Sequence, residues 1–214
     1  MNGVDVLEIV FWAIGITFVY AGLAAAATAT RPGLHWLVIP AAVPVVMAVA
    51  SGIFGVVTTP HPLIAIAVGA GLGLTGIVGG NPFVVLLLGT AAGRTGHPRL
   101  GAHGGIIVPD TSAAGAMTPG ATAPGATAVL PVEREILRGG TTIGYLERFA
   151  LIGAVLAGQS AAVAVIVAVK GLGRFSELEN EQARERFIIG TLASLIWAAT
   201  CTAAILTLFP AITG

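Results

Sequence analysis

Glu147 and Arg148 stand side by side in IGYLERFALIG, residues 143–153, and of all residues in this chain they are the best suited to chemistry. A glutamate can act as a general base, and a guanidinium, from Arg148 or Arg174, can hold a phosphate with its planar fork of donors. Together they would suit an enzyme working on a lipid headgroup. Gln159, Lys170, Arg174 and Glu185 lie in the same third of the chain and complete the set of candidate polar positions. A second constellation, His97, His103 and Asp110, offers metal-ligand types, but its spacing matches no zinc pattern and no later histidine extends it. Neither metal nor cofactor is therefore expected. With no Ser-His-Asp set in a plausible context, no phosphate-binding loop and no paired intramembrane aspartates, the reading leans away from an enzyme.

The elements that must position these residues are set by composition. Of 214 residues, 56% are hydrophobic and only 9% charged, and the mean hydropathy is +0.94. Too few charges remain to solvate a water-facing surface, so the natural surroundings are lipid. The hydrophobicity is continuous rather than alternating, which favours helices over a barrel. Formal net charge is zero and the basic residues are scattered, which excludes a nucleic-acid binder. The single cysteine, Cys201, excludes an internal disulfide and reads as a small buried side chain. The amino-terminal MNGVDVLEIV lacks the basic region of a signal peptide and is expected to be retained. Its Asp5 and Glu8 have the spacing of a helix cap and its partner.

The fold class expected is an all-helical transmembrane bundle of five spans, six if a partial helix is counted, with a disordered Ala/Thr/Gly/Pro linker. Residues 1–93 hold the amino-terminal helices, 94–140 the low-complexity linker and 141–214 a carboxy-terminal helical hairpin. Val6 to about Thr28 is the first span; Trp36 to Thr58, with Pro40 and Pro44 inside it, is the second. The apolar stretch from Leu63 to Ala92 is long for one crossing and short for two, and VGGNPF in its middle predicts either one broken helix or a hairpin with a short second arm. Broken helices can line a transport path; a simple turn or kink is the plainer reading.

Phe149 to Val169 carries no charge and would be about 31 Å long as a helix, one hydrocarbon thickness. This puts Glu147 and Arg148 near one membrane face and Lys170 near the other. Adjacent residues diverge by about 100° on a helix, so Glu147 and Arg148 each need another partner. Arg148 can snorkel to phosphates, and Glu147 should face the bundle. Gln159, near mid-span, should find a partner across a helix interface. The ladder Gly153, Ala157, Ala161 should lie against Gly190, Ser194, Ala198 of the last span, Phe187 to Phe209. Ser176 and Glu179 form a capping box that starts a helix near Glu177.

The order IGYLER (143–148), Gln159, Lys170, Arg174-Phe175, Glu185 and IGTLAS (189–194) resembles a bacterial integral-membrane family of unknown function, over Thr141 to about Ala204. The first two thirds lack the histidine and aspartate pattern expected of that family. The resemblance therefore implies a multi-pass protein of the bacterial plasma membrane and a set of candidate positions, and no mechanism. With five spans, Arg31, Arg94, Arg99, Arg134, Arg138 and Arg148 fall on one side and Lys170, Arg174, Arg184 and Arg186 on the other. That balance puts the amino terminus outside and the linker in the cytoplasm. The function expected is a non-enzymatic structural or partner-binding subunit, its partners being the bilayer and a second copy or another membrane protein. A small transporter or channel, with Gln159, the GGNP break and Glu147 along a path, is the alternative, and the headgroup enzyme a further one.

Overall fold

The computed structural model describes residues 6–55, 61–91, 106–109, 133–136, 140–175 and 181–210. They form helices α1 (Val6–Ala29), α2 (Val38–Ile53), α3 (Pro62–Ala91), α4 (Gly140–Leu156), α5 (Ser160–Phe175) and α6 (Glu181–Leu208), with a short 3-10 turn, His35–Leu37, ahead of α2. Apart from these there is one antiparallel pair, β1 (Ile106–Pro109) with β2 (Glu133–Ile136), in which Ile106 stands opposite Ile136.

Among the described residues, four helical segments are long and apolar enough to cross a membrane: Glu8–Ala29, His35–Ile53, Pro62–Thr90 and Arg184–Leu208. Their outward faces are oily. Ile14, Val46, Ile66 and Ile196 are each 59–66% exposed, a surface that fits lipid and would be unfavourable in water. Inside, one cluster joins α1, α2, α3 and α6 through Trp12, Val45, Leu72, Trp197 and Ile205. The last helix thus belongs to the same packed body as the first three, although the sequence groups it with the segment before it.

Small residues allow this close approach. Gly71 faces Val19 of α1, Gly76 and Gly79 face Cys201 and Trp197 of α6, Gly52 faces Thr207, and Gly22 faces Pro44. The same contacts fix the directions. Residues 76, 79 and 84 of α3 meet 201, 197 and 190 of α6, so these helices are antiparallel, whereas the carboxy-terminal ends of α2 and α6 meet at Gly52 and Thr207. Consequently α1 and α3 run one way and α2 and α6 the other. One end of the bundle, the linker end, holds the close of α1 and α3 and the start of α2 and α6.

Three sequence expectations change here. First, α3 is a single 30-residue helix that runs through VGGNPF with Pro82 inside it, so neither a hairpin nor a turn interrupts it. Proline withholds one N–H from the ladder, but packing against α6 and α4 along the whole stretch outweighs that loss. Second, the charge-free run 149–169 does not make one helix. It folds back at Ala157–Gln159, where Gly158 adopts φ +72. The Gly158 amide donates to the Val155 carbonyl and the Gln159 amide to that of Ala154, the two bonds of a Schellman cap. Five spans thus become four long helices and one shorter helical pair, α4–α5. Third, the disorder expected over 94–140 does not hold at 106–109 and 133–136, which pair as strands; Ile106, Ile107, Val108 and Ile136 are the β-branched residues that favour them. The linker's centre, 110–132, lies outside the described residues, as do Asp5 and the Ser176–Glu179 capping box.

Candidate functional site

Arg148 is 1% exposed, among the most deeply buried large side chains in the molecule. It projects from α4 into the angle between α3 and α6. Its Nε donates to the Ile77 carbonyl at 2.6 Å, Nη1 to Ser194 Oγ at 2.9 Å and Nη2 to Asn81 Oδ1 at 3.0 Å. The guanidinium also lies 5.3 Å from the centre of the Tyr145 ring one helical turn back. Every partner is neutral: among the described residues no carboxylate lies at ion-pair distance from Arg148. Ile77 is the sixteenth residue of the 30 in α3, so the charge sits close to that helix's midpoint.

The GGNP motif is the receptor for this side chain. A Cβ placed on Gly80 would fall 2.5 Å from Arg148 Cδ and 2.6 Å from Nε, so the arginine stem lies where a side chain would otherwise be. Gly144 is the matching gap on α4, with Arg148 Nη1 and Asn81 Oδ1 each 3.2 Å from its notional Cβ. Next to them, Trp197 fills the space left by Gly79, gives its Nε1 hydrogen to the Thr75 carbonyl at 3.1 Å and packs on Phe83 with 5.2 Å between ring centres. Arg148 therefore does not snorkel. The clamp joins α4 to α3 and α6 at a level where water does not compete.

Glu147 points the other way and forms an ion pair with Lys170 of α5. The expectation that they mark opposite faces is overturned by the turn at 157–159, which brings positions nearly equally far from Gly158 opposite each other. Each side chain is about one-sixth exposed, 17% for Lys170 and 15% for Glu147. They line a groove of about 470 Å³ between α4 and α5 whose remaining walls are aliphatic.

The other candidates do not join this cluster. Gln159 is exposed at the tip of the α4–α5 pair, where it follows the glycine cap instead of crossing an interface. Arg174 falls in the last turn of α5, and Glu185 is exposed near the start of α6. The small-residue ladder Gly153, Ala157, Ala161 is exposed and does not face α6. On α6, Gly190 meets Val84, Ser194 bonds Arg148, and Ala198 packs on Leu151 and Ile152. Cys201 is free and buried, as read. His97, His103 and Asp110 lie outside the described residues, and among those described no group of His, Cys, Asp or Glu could hold a metal.

The chain matches no family model, no curated protein and no solved structure. Of the residues that carry the sequence resemblance, Gly144, Tyr145 and Arg148 of IGYLER and Ser194 of IGTLAS meet in the clamp, Glu147 and Lys170 pair in the separate groove, and Gln159, Arg174 and Glu185 join neither. Asn81 and the Ile77 carbonyl complete the clamp, and sequence reading did not assign them; the one available signal was a glycine pair followed by a polar residue inside an otherwise apolar helix.

Proposed function

We propose that this protein is a non-catalytic, partner-binding subunit of the bacterial plasma membrane, in which α1, α2, α3 and α6 cross the bilayer and the α4–α5 pair enters and leaves on the linker side. The observation that carries the reading is how α5 is held. It packs on α4, and among the described residues no other element shares a comparable interface with it. Its outward face, with Ser160, Ala164 and Ala168 exposed at four-residue spacing, is the kind of surface on which another membrane helix lies closely. The charged side chains most able to do chemistry are already engaged, Arg148 by three acceptors and Glu147 by Lys170, which speaks against a headgroup enzyme. The one place where a broken helix would open a path is filled by the Arg148 stem, which speaks against a transporter.

Orientation follows from the same reading. With four crossings, nine of the ten Lys and Arg residues belong to the linker end or to segments joined to it, Arg148 being buried in the bundle, and residues 1–5, 54–61 and 209–214 hold none. Such an asymmetry supports a cytoplasmic linker end with both termini outside. The plasma membrane of a bacterium is supported by the resemblance over 141–204.

The test is site-specific photocross-linking in native membranes. A probe at Ala164 should give a discrete protein adduct while a probe at Ile14, on the lipid-facing side of α1, gives none. Equal patterns from both positions, or no protein adduct from any position on α5, would remove the partner-binding reading.

A further inference from the structure

The groove between α4 and α5 is not explained by the Arg148 clamp or by a partner on the outward face of α5. Its walls are six apolar side chains, among them Leu146, Ala150, Val165 and Val169, and the single ion pair Glu147–Lys170. Such a lining asks for a ligand with a hydrocarbon tail and a polar end. The chemistry of the polar end is restricted by the pair. An anionic head would have to take Lys170 from Glu147 and leave a partly buried carboxylate uncompensated; a cationic head would strand the lysine instead. A head that carries an ammonium next to a phosphate satisfies both at once, the ammonium against Glu147 and the phosphate against Lys170, so that charges alternate and none is left over. The ammonium should be primary. A carboxylate gains from N–H donors, whereas a quaternary ammonium has none and depends on aromatic faces, of which the groove has none. Lys170 stands about 7.5 Å of helix from the end of α5 at Phe175, close enough for its long side chain to meet a headgroup drawn toward the linker-side surface.

We propose that the α4–α5 groove is a binding site for a phosphoethanolamine lipid, with one acyl chain along the aliphatic walls and the head on Glu147 and Lys170. The proposal rests on the membrane reading above but not on a protein partner, because positions 165 and 169 lie on a different face of α5 from 160, 164 and 168.

The full chain, placed in nanodiscs of equal phosphatidylethanolamine, phosphatidylcholine and phosphatidylglycerol and then re-extracted in mild detergent, should retain phosphatidylethanolamine about fivefold over either of the others by native mass spectrometry. Soluble phosphoethanolamine should not displace it. Ala150→Phe, at an exposed position that fills the groove and leaves the ion pair in place, should bring the ratio to about one while the thermal midpoint holds; Glu147→Gln with Lys170→Gln, which strands no charge, should do the same. If that double variant does not fold, Ala150→Phe decides alone. A wild-type ratio near one, a preference for phosphatidylglycerol, unchanged retention in Ala150→Phe, or a lipid-free dimer with Val165 cross-linked to a second copy would each overturn the proposal. The failure of the membrane reading would appear separately, as a chain that stays in the aqueous fraction without detergent.

Discussion

At the scale of single residues, Arg148 is the buried ionic side chain among the described residues. A guanidinium at the centre of a membrane helix costs about 2.5–3.5 kcal/mol on insertion scales, and hydrogen bonds to a charged group return about 1.5–3 kcal/mol each. Three such bonds, to Ile77, Asn81 and Ser194, are enough to hold it in place. Geometry matters as much as charge here. A lysine ammonium cannot reach acceptors on two different helices with the same fork, so Arg148→Lys should lower stability by about 2–4 kcal/mol in a denaturation measurement in detergent. The cradle is equally specific. Gly80→Ala sets a methyl into the pinned arginine stem and should cost about 1–3 kcal/mol. Gly153→Ala, with nothing within 4 Å of the added carbon, should be neutral or raise stability by up to ~1 kcal/mol through helix propensity. Equal effects of the two glycine substitutions would mean that Arg148 does not lie across Gly80.

At the scale of elements, the decisive feature is the turn at 157–159. A straight helix would put Glu147 and Lys170 about 35 Å apart, from 23 residues at 1.5 Å each. The helical pair brings them into contact. Glu147→Cys with Lys170→Cys, in a Cys201→Ala background, should therefore be joined by a short bifunctional thiol reagent. The joining should fall when Gly158 is replaced by Val, because φ +72 is costly for a β-branched residue, about 1–3 kcal/mol. A pair of thiols that never joins would restore the single-span reading. The fold-back was partly legible in advance, since a glycine before two polar residues is a helix-ending signal. Length outweighed it: the match between 21 apolar residues and one bilayer thickness was the stronger cue, and the sequence does not say whether an apolar run of that size crosses once or doubles back against a neighbour.

For the whole molecule, the change from five crossings to four moves one group of charges. In the four-crossing reading Lys170, Arg174, Arg184 and Arg186 join Arg31, Arg94, Arg99, Arg134 and Arg138 at one end, and with Arg148 buried in the bundle a six-to-four split becomes nine to none. Membrane-impermeant thiol labelling of single cysteines should mark positions near both termini from outside the cell and positions in the linker only after permeabilisation. Termini on opposite sides would rule out the four-crossing reading. The neutralisation of Arg31 alone should leave the topology unchanged, because eight basic residues remain on that side.

Composition and run length by themselves determined the helical class and the burial of Cys201, since each follows from local free energies that lipid or water imposes on a segment in isolation; the small residues that do bring helices close, Gly71, Gly76 and Gly79 among them, are not the ladder 153, 157, 161 that spacing suggested. Composition and run length also picked out Glu147, Arg148 and Lys170, because ions next to long apolar runs are costly wherever they end up. Where those ions go was decided only by tertiary structure. The level of Arg148 depends on Gly80 and Asn81, about 70 residues earlier in the chain, and the partner of Glu147 on a backbone reversal that one glycine permits. Both are contacts between distant segments, whose energies exist only once the helices have packed.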